Sequence, residues 1–209
     1  MTWPEQLVRR ARLFSEKCEA GFEKRNSVVE GGRSVEQQWI SWQRPPTGWV
    51  GLNTDGSVVL AQGRSAAGGV IRDSEGRFLV EYSTNLGGGS ITNAELAGIA
   101  QGLQLSWERG YRKVAVQTDS STAISLIHSA EAAHPHYTLV AYIRRLMERE
   151  WEVSLSHVFR ESNFVADHLA SVGHSLSIGT HVVDYPGAEL RYWLYFDTLG
   201  VQTPRFITI

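Results

Sequence analysis

Residues 48–57 read "GWVGLNTDGS", an apolar run that closes on Asn53, Thr54 and Asp55 before two turn-forming residues, Gly56 and Ser57. The run predicts a β-strand ending at Asp55. Taken alone, that aspartate has two readings. It is a hairpin corner, the usual role of Asp before Gly-Ser, or it holds a metal ion. The residues around it decide between the two.

Downstream, "AAGGVIRDSEGRFLVEYSTNL" (66–86) predicts strand, turn, strand, with "DSEG" (73–76) as the hairpin turn. "GGGS" (87–90) is a loop. The period then changes. "TNAELAGIAQGLQLSWERG" (92–110) spaces Leu96, Ile99, Leu103 and Trp107 three to four apart, as a helix does. Thr92 or Asn93 is expected to cap its start, and Gly110 to end it. "YRKVAVQTDSS" (111–121) returns to a short apolar strand ending at Asp119. Helices are expected in "STAISLIHSA" (121–130) and "YTLVAYIRRLMERE" (137–150). "WEVSLSHVF" (151–159) alternates as a strand, and "NFVADHLASVGHS" (163–175) reads as a last helix.

The resulting order, β β β α β α α β α, points to an α/β domain with a mixed sheet: a three-strand antiparallel meander, then strands separated by helices. The boundary is placed at "QRPPTG" (43–48), whose prolines oppose helix. This divides the chain into an N-terminal extension (1–42) with one amphipathic helix, a domain over 43–175, and an aromatic C-terminal extension (176–209) that is either docked or partly disordered.

Bulk properties narrow the function. The chain has 209 residues and one cysteine, Cys18, so an intramolecular disulfide and a cysteine-based zinc site are excluded. No apolar run reaches the ~18 residues of a membrane span, and the N-terminus lacks a secretory core. An intracellular protein, cytoplasmic or nuclear and without a membrane partner, is expected. Formal net charge is −2, which does not indicate a strongly basic nucleic-acid binder.

Four acids stand at related addresses. Asp55 and Asp119 end strands, while Glu95 and Asp167 sit in the first turns of helices. Strand ends and helix starts meet at one edge of an α/β sheet, where such folds build their sites. Each acid alone has an ordinary structural role as a turn, cap or dipole residue. Together they would repel one another unless cations lay between them, and hard cations such as Mg²⁺ accept carboxylate oxygen.

In order and spacing, "NTDGS", "NAELAGIAQGL", "VQTDSSTAISLI" and "SHVFRESNFVADHLA" resemble the four acidic motifs of type 1 ribonuclease H. "PPTGWVGLNTDGSV", "HVFRESNFVADHLA" and the tail "GTHVVDYPGAELRYWLYFDTLGVQTPR" are similar to the plant ribonuclease H-like domain associated with non-LTR retrotransposons. The resemblance covers roughly residues 38–204. It implies a ribonuclease H-like fold with a five-stranded mixed sheet flanked by helices. It implies two-metal hydrolysis of the RNA strand of an RNA–DNA hybrid with two Mg²⁺ ions, Mn²⁺ being a substitute, in a monomer. Carried over by position, Asp55 would bridge both ions. Asp167 would hold the ion that activates water, and Glu95 and Asp119 the ion at the leaving 3′ oxygen. Gly56, Ser57, Asn93, Asn163 and Arg160 would meet the substrate; their ordinary alternatives are turn, cap or solvated loop.

Two features depart from the family pattern. The loop between the last strand and last helix, "HVFRESN", is short and lacks an assisting histidine, and alternation places His157 as a packed or hydrogen-bonded strand residue. Residues 128–137 carry no Lys or Arg, and "YIRRLMERE" sets three arginines against two glutamates, so the basic grip on a hybrid is weak. A second reading follows, an inactive domain that binds nucleic acid or a protein. A 3′-to-5′ exonuclease is disfavoured, because its first motif usually reads Asp-x-Glu where this chain has "TDGS".

Overall fold

The computed structural model describes residues 35–208. The helix expected before residue 30 lies outside the described residues. Strand β1 (Val35–Ile40) pairs antiparallel with β8 (Thr203–Thr208), within a unit of their own. Residues 42–201 form the other unit, which carries the four acids. Its strands are β2 (Val50–Val59), β3 (Arg64–Arg72), β4 (Phe78–Gly87), β5 (Lys113–Thr118), β6 (Glu152–His157) and β7 (Gly179–Val183). Its helices are α1 (Ile91–Glu108), α2 (Ser121–Ser129), α3 (Tyr137–Met147), α4 (Phe164–Gly173) and α5 (Ala188–Thr198).

The element order over 43–175 is the expected one, and the sheet is mixed. Strands β2, β3 and β4 form the antiparallel meander, while β5 runs parallel to β2 and β6 parallel to β5. The sheet has six strands rather than five, in the order β6-β5-β2-β3-β4-β7. The sixth comes from the tail, where β7 pairs antiparallel with the outer edge of β4, Thr180 opposite Thr84. It covers backbone groups that would otherwise form an open edge. The strand was hard to see in sequence because β7 is short and mostly exposed, which leaves little alternation.

Period-two alternation sends side chains to two different cores. Leu52, Ile71, Val80, Tyr82, Val114 and Val116 pack with Leu96, Ile99 and Leu103 of α1 and Ile143 and Leu146 of α3. On the opposite face, Val70 packs with Val165 and Leu169 of α4 and with Leu190 and Leu194 of α5. The tail segment after residue 175 therefore contributes a strand and a helix to the 42–201 unit, and residues 202–209 fall in the other.

Local signals explain the helix ends that matter for the site. Ser90, not Thr92 or Asn93, caps α1: its side chain accepts from the Asn93 backbone N–H at 3.2 Å. At the far end Gly110 (φ +78°) closes the helix as expected. Among the described residues, no helix is long and apolar enough to cross a membrane.

Candidate active site

The parallel register of β2 and β5 ends at Thr54 opposite Thr118, and the next residues are Asp55 and Asp119. The two aspartates are thus carried side by side at the end of the parallel ladder. Strand β2 does not stop there. It continues to Val59 against β3, with Asp55 opposite Gly68. The expected turn at Gly56–Ser57 is absent, and Asp55 is only 5% exposed.

Gly56 serves a different purpose. The first turns of α1 cross directly over it, and a Cβ there would collide with the Glu95 backbone nitrogen and with Ala94. The missing side chain lets α1 lie against the strand and delivers Glu95 to Asp55. Gly68 does the same on the other face, where a Cβ would meet the backbone of Leu169 and Ala170 in α4. Both helices therefore reach the sheet where the acids stand.

Asp55, Glu95 and Asp119 each offer a carboxylate oxygen within 4.8 Å of the others. Asp55 and Glu95 are buried and Asp119 is half-buried. Burial first, then the charges of Glu95, Asp119 and Asp167, push Asp55 up to about 9. Burial and Asp119 push Glu95 up to about 8. The Gly56 N–H opposes both shifts, and Arg160 opposes that of Glu95. Glu95 Oε2 is buried with no hydrogen-bond partner. A buried acceptor of this kind is costly unless something fills its coordination, and hard divalent cations prefer such a set of clustered carboxylate oxygens. The residues present fit a divalent metal site.

Asp167 stands in the first turn of α4 and is paired with Arg160 at 2.8 Å. It is more open than Asp55 and Glu95, its side chain 37% exposed. Arg160 is thus ion-paired rather than free in a solvated loop. Asn163 sits at the N-cap position of α4, yet its side chain makes no capping hydrogen bond. Its amide Nδ2 instead donates to Asp119 Oδ1 at 3.1 Å and to the Thr54 carbonyl at 3.1 Å. Ser57 Oγ lies 3.0 Å from His174 Nε2. His157 is exposed rather than packed, with its ring nitrogen 3.2 Å from the Asp119 carbonyl. Asn93, in the first turn of α1, lines a cavity of about 710 Å³ with His136, Tyr137, Tyr142 and Arg145, which none of the four acids lines.

Sequence reasoning missed the polar cluster behind the acids. Trp42 Nε1 donates to Asn53 Oδ1 (3.0 Å) and Gln117 Oε1 (2.9 Å), and Arg72 NH2 donates to Asn53 Oδ1 (2.6 Å). One signal was available. Asn53 and Gln117 each precede an acid by two positions, on the same face of an otherwise apolar strand, where an uncharged polar side chain needs a buried partner.

The sequence profile of the reverse transcriptase-like family matches residues 53–173. An Arabidopsis thaliana protein provisionally named as a ribonuclease H protein is 35% identical over 174 residues, which cover 83% of this chain. The chain spans 28% of that relative's length. Among solved structures, RNase H1 from Halobacterium salinarum superposes with a TM-score of 0.57 at 22% identity, covering 61% of this chain and 98% of that one. LC11-RNase H1, solved in complex with an RNA/DNA hybrid, gives 0.55 at 24% identity, covering 60% and 96%. At such identities the structural likeness shows the fold, and together with the profile it places this chain in the reverse transcriptase-like family, built on the fold of type 1 ribonuclease H.

Proposed function

We propose that the chain is a metal-dependent endoribonuclease that cuts the RNA strand of RNA–DNA hybrids. The observation that carries this reading is the convergence of Asp55, Glu95 and Asp119, with a buried Glu95 oxygen left without a partner. The named relative and the hybrid-bound neighbour support the choice of substrate.

Asp55, Glu95, Asp119 and Asp167 would hold two Mg²⁺ or Mn²⁺ ions. Such a pair supplies charge stabilisation at the scissile phosphate and a nucleophile at neutral pH. In this assignment Asp55 would be the shared ligand, because it feels the charges of Glu95, Asp119 and Asp167 alike. Asp167 exchanges its Arg160 partner for the site, which frees a guanidinium at the rim to meet a backbone phosphate. Asn163 holds Asp119 by one oxygen and leaves the other to coordinate. Ser57, half-buried beyond Asp55, would meet the substrate, while Gly56 acts by seating α1. Asn93, with the aromatic and basic residues of its cavity, receives a further part of the hybrid. The Glu95 carboxylate would meet a 2′-hydroxyl, which distinguishes RNA from DNA.

The test is cleavage of an end-labelled RNA–DNA hybrid in Mg²⁺ or Mn²⁺, beside single-stranded RNA and duplex DNA. Internal cuts confined to the RNA of the hybrid support the proposal, and Asp55→Asn is expected to abolish them. Hybrid binding without cuts, at any metal concentration, would identify an inactive binding domain instead. Trimming from an end would identify an exonuclease.

A further inference from the structure

A buried chain of hydrogen bonds runs from helix α5 to Asp119. Arg72, at the end of β3, is 1% exposed. Its guanidinium lies 3.4 Å over the Trp42 ring. NH1 donates to Asp197 Oδ2 of α5 at 2.6 Å, and NH2 donates to Asn53 Oδ1 at 2.6 Å. Asn53 Nδ2 then donates to Asn163 Oδ1 at 3.2 Å, and Asn163 Nδ2 donates to Asp119 Oδ1 at 3.1 Å. Asn53 Nδ2 also donates to Gln117 Oε1 at 3.0 Å.

The direction of this chain is set at the Arg72 end. A guanidinium and an indole N–H only donate. Both face Asn53, so its oxygen must point at them and its amino group must point away. That amino group meets Asn163, whose oxygen must accept and whose own amino group must face Asp119. Reversing either amide would place N–H against N–H, or a carbonyl oxygen against a carboxylate, inside a buried network where unmade hydrogen bonds are costly.

We infer that Arg72 and Asp197 are positioning residues for the metal site: by orienting the Asn53 and Asn163 amides, they hold the Asp119 carboxylate in its coordinating orientation, so that the tail helix α5 is part of the active-site support. A buried guanidinium needs an anion, and Asp197 supplies it from 125 residues away. The inference rests on the metal-site reading of Asp119. It goes beyond that reading by assigning a role to residues that touch neither cation nor substrate.

The experiment compares the full chain with the double variant Arg72→Met/Asp197→Leu, which removes both charges together and so leaves neither buried alone. Leu194→Ala, in the apolar packing of α5, is the control for general loosening of the helix. Circular dichroism and thermal unfolding define conditions in which all three are folded. Mn²⁺ affinity is then read by calorimetry, and the Asn163 side-chain amide by ¹⁵N–¹H NMR. The expected result is a roughly tenfold loss of Mn²⁺ affinity in the folded double variant (about 1.4 kcal/mol), a displaced Asn163 amide resonance, and an affinity within twofold of the parent for Leu194→Ala. Parent-like affinity in the double variant, or an equal loss in Leu194→Ala, overturns the inference. If the parent itself binds no Mn²⁺, the metal reading fails. The Asn163 resonance then decides for the chain of hydrogen bonds alone: displacement supports it, and an unchanged resonance refutes it.

Discussion

Replacing Asp55 by asparagine tests the electrostatics of the site without requiring turnover. The carboxyl is 5% exposed and is raised from its ordinary 3.8 to about 9, by burial and then by three neighbouring acids. Between those two values the folded chain keeps a proton that the unfolded chain releases. The stabilising contribution of this group is therefore fully present below about 3.8 and is lost as pH rises towards 9. At pH 7 roughly three units of that window have been crossed, and at about 1.4 kcal/mol per unit the loss is on the order of 4 kcal/mol. Asparagine keeps the shape and can still accept from the Gly56 N–H, but it is neutral in both states and need take up no proton on folding. In EDTA at pH 7–8, Asp55→Asn should be more stable than the parent by on the order of 2–4 kcal/mol, or roughly 5–15 °C in Tm. Glu95 and Glu81, raised to about 8 and about 7, give slopes of the same sign in both proteins. The difference between parent and variant therefore reports on Asp55 together with its coupling to Glu95. The assay is thermal unfolding in EDTA from pH 5 to 9, repeated with Mn²⁺. The parent should recover stability with the cation and the variant should not. A variant that is no more stable than the parent in EDTA at pH 7–8, or one that gains as much from Mn²⁺, would refute the reasoning.

Three further outcomes are expected. Calorimetric Mn²⁺ affinity should tighten as pH rises from 6 to 8, by up to about tenfold per unit for each proton displaced, because Asp55 and Glu95 must both ionise to bind. Gly56→Ala should destabilise the domain by about 1–3 kcal/mol in urea unfolding, since the added methyl strikes the α1 backbone at Glu95 rather than a side chain that can move. Arg160→Ala should change stability by less than about 1 kcal/mol, because its pair with Asp167 is exposed, yet it should weaken hybrid affinity and flatten the salt dependence measured by fluorescence anisotropy.

Much of the fold was legible because its elements announce themselves locally. The three-to-four spacing of Leu96, Ile99 and Leu103 and the return to an apolar strand before Asp119 needed no knowledge of the rest of the chain. The hairpin turn at 73–76 was equally local, with Gly76 N–H donating to the Asp73 carbonyl at 3.0 Å. The misreadings arose where a tertiary neighbour replaced a local rule. Gly56 and Ser57 look like a turn, but the glycine makes room for a helix that enters nearly forty residues later. Asn163, read as a substrate contact or a helix cap, stands at the cap position, but its amide is engaged by Asp119 and Thr54. Strand β7 carried no clean alternation because it only completes an edge.

Sequence by itself determined the order of strands and helices over residues 43–175 and singled out the four acids, because periodicity and turn chemistry act over a few residues. Only the tertiary structure decided which carboxylates share a site, how deeply they are buried and which way the supporting amides point. Those properties depend on register and packing between distant segments: β2 against β5, α1 across Gly56, and Arg72 against Asp197. Desolvation and charge repulsion, which raise Asp55 and Glu95 so far, arise only once those segments have met.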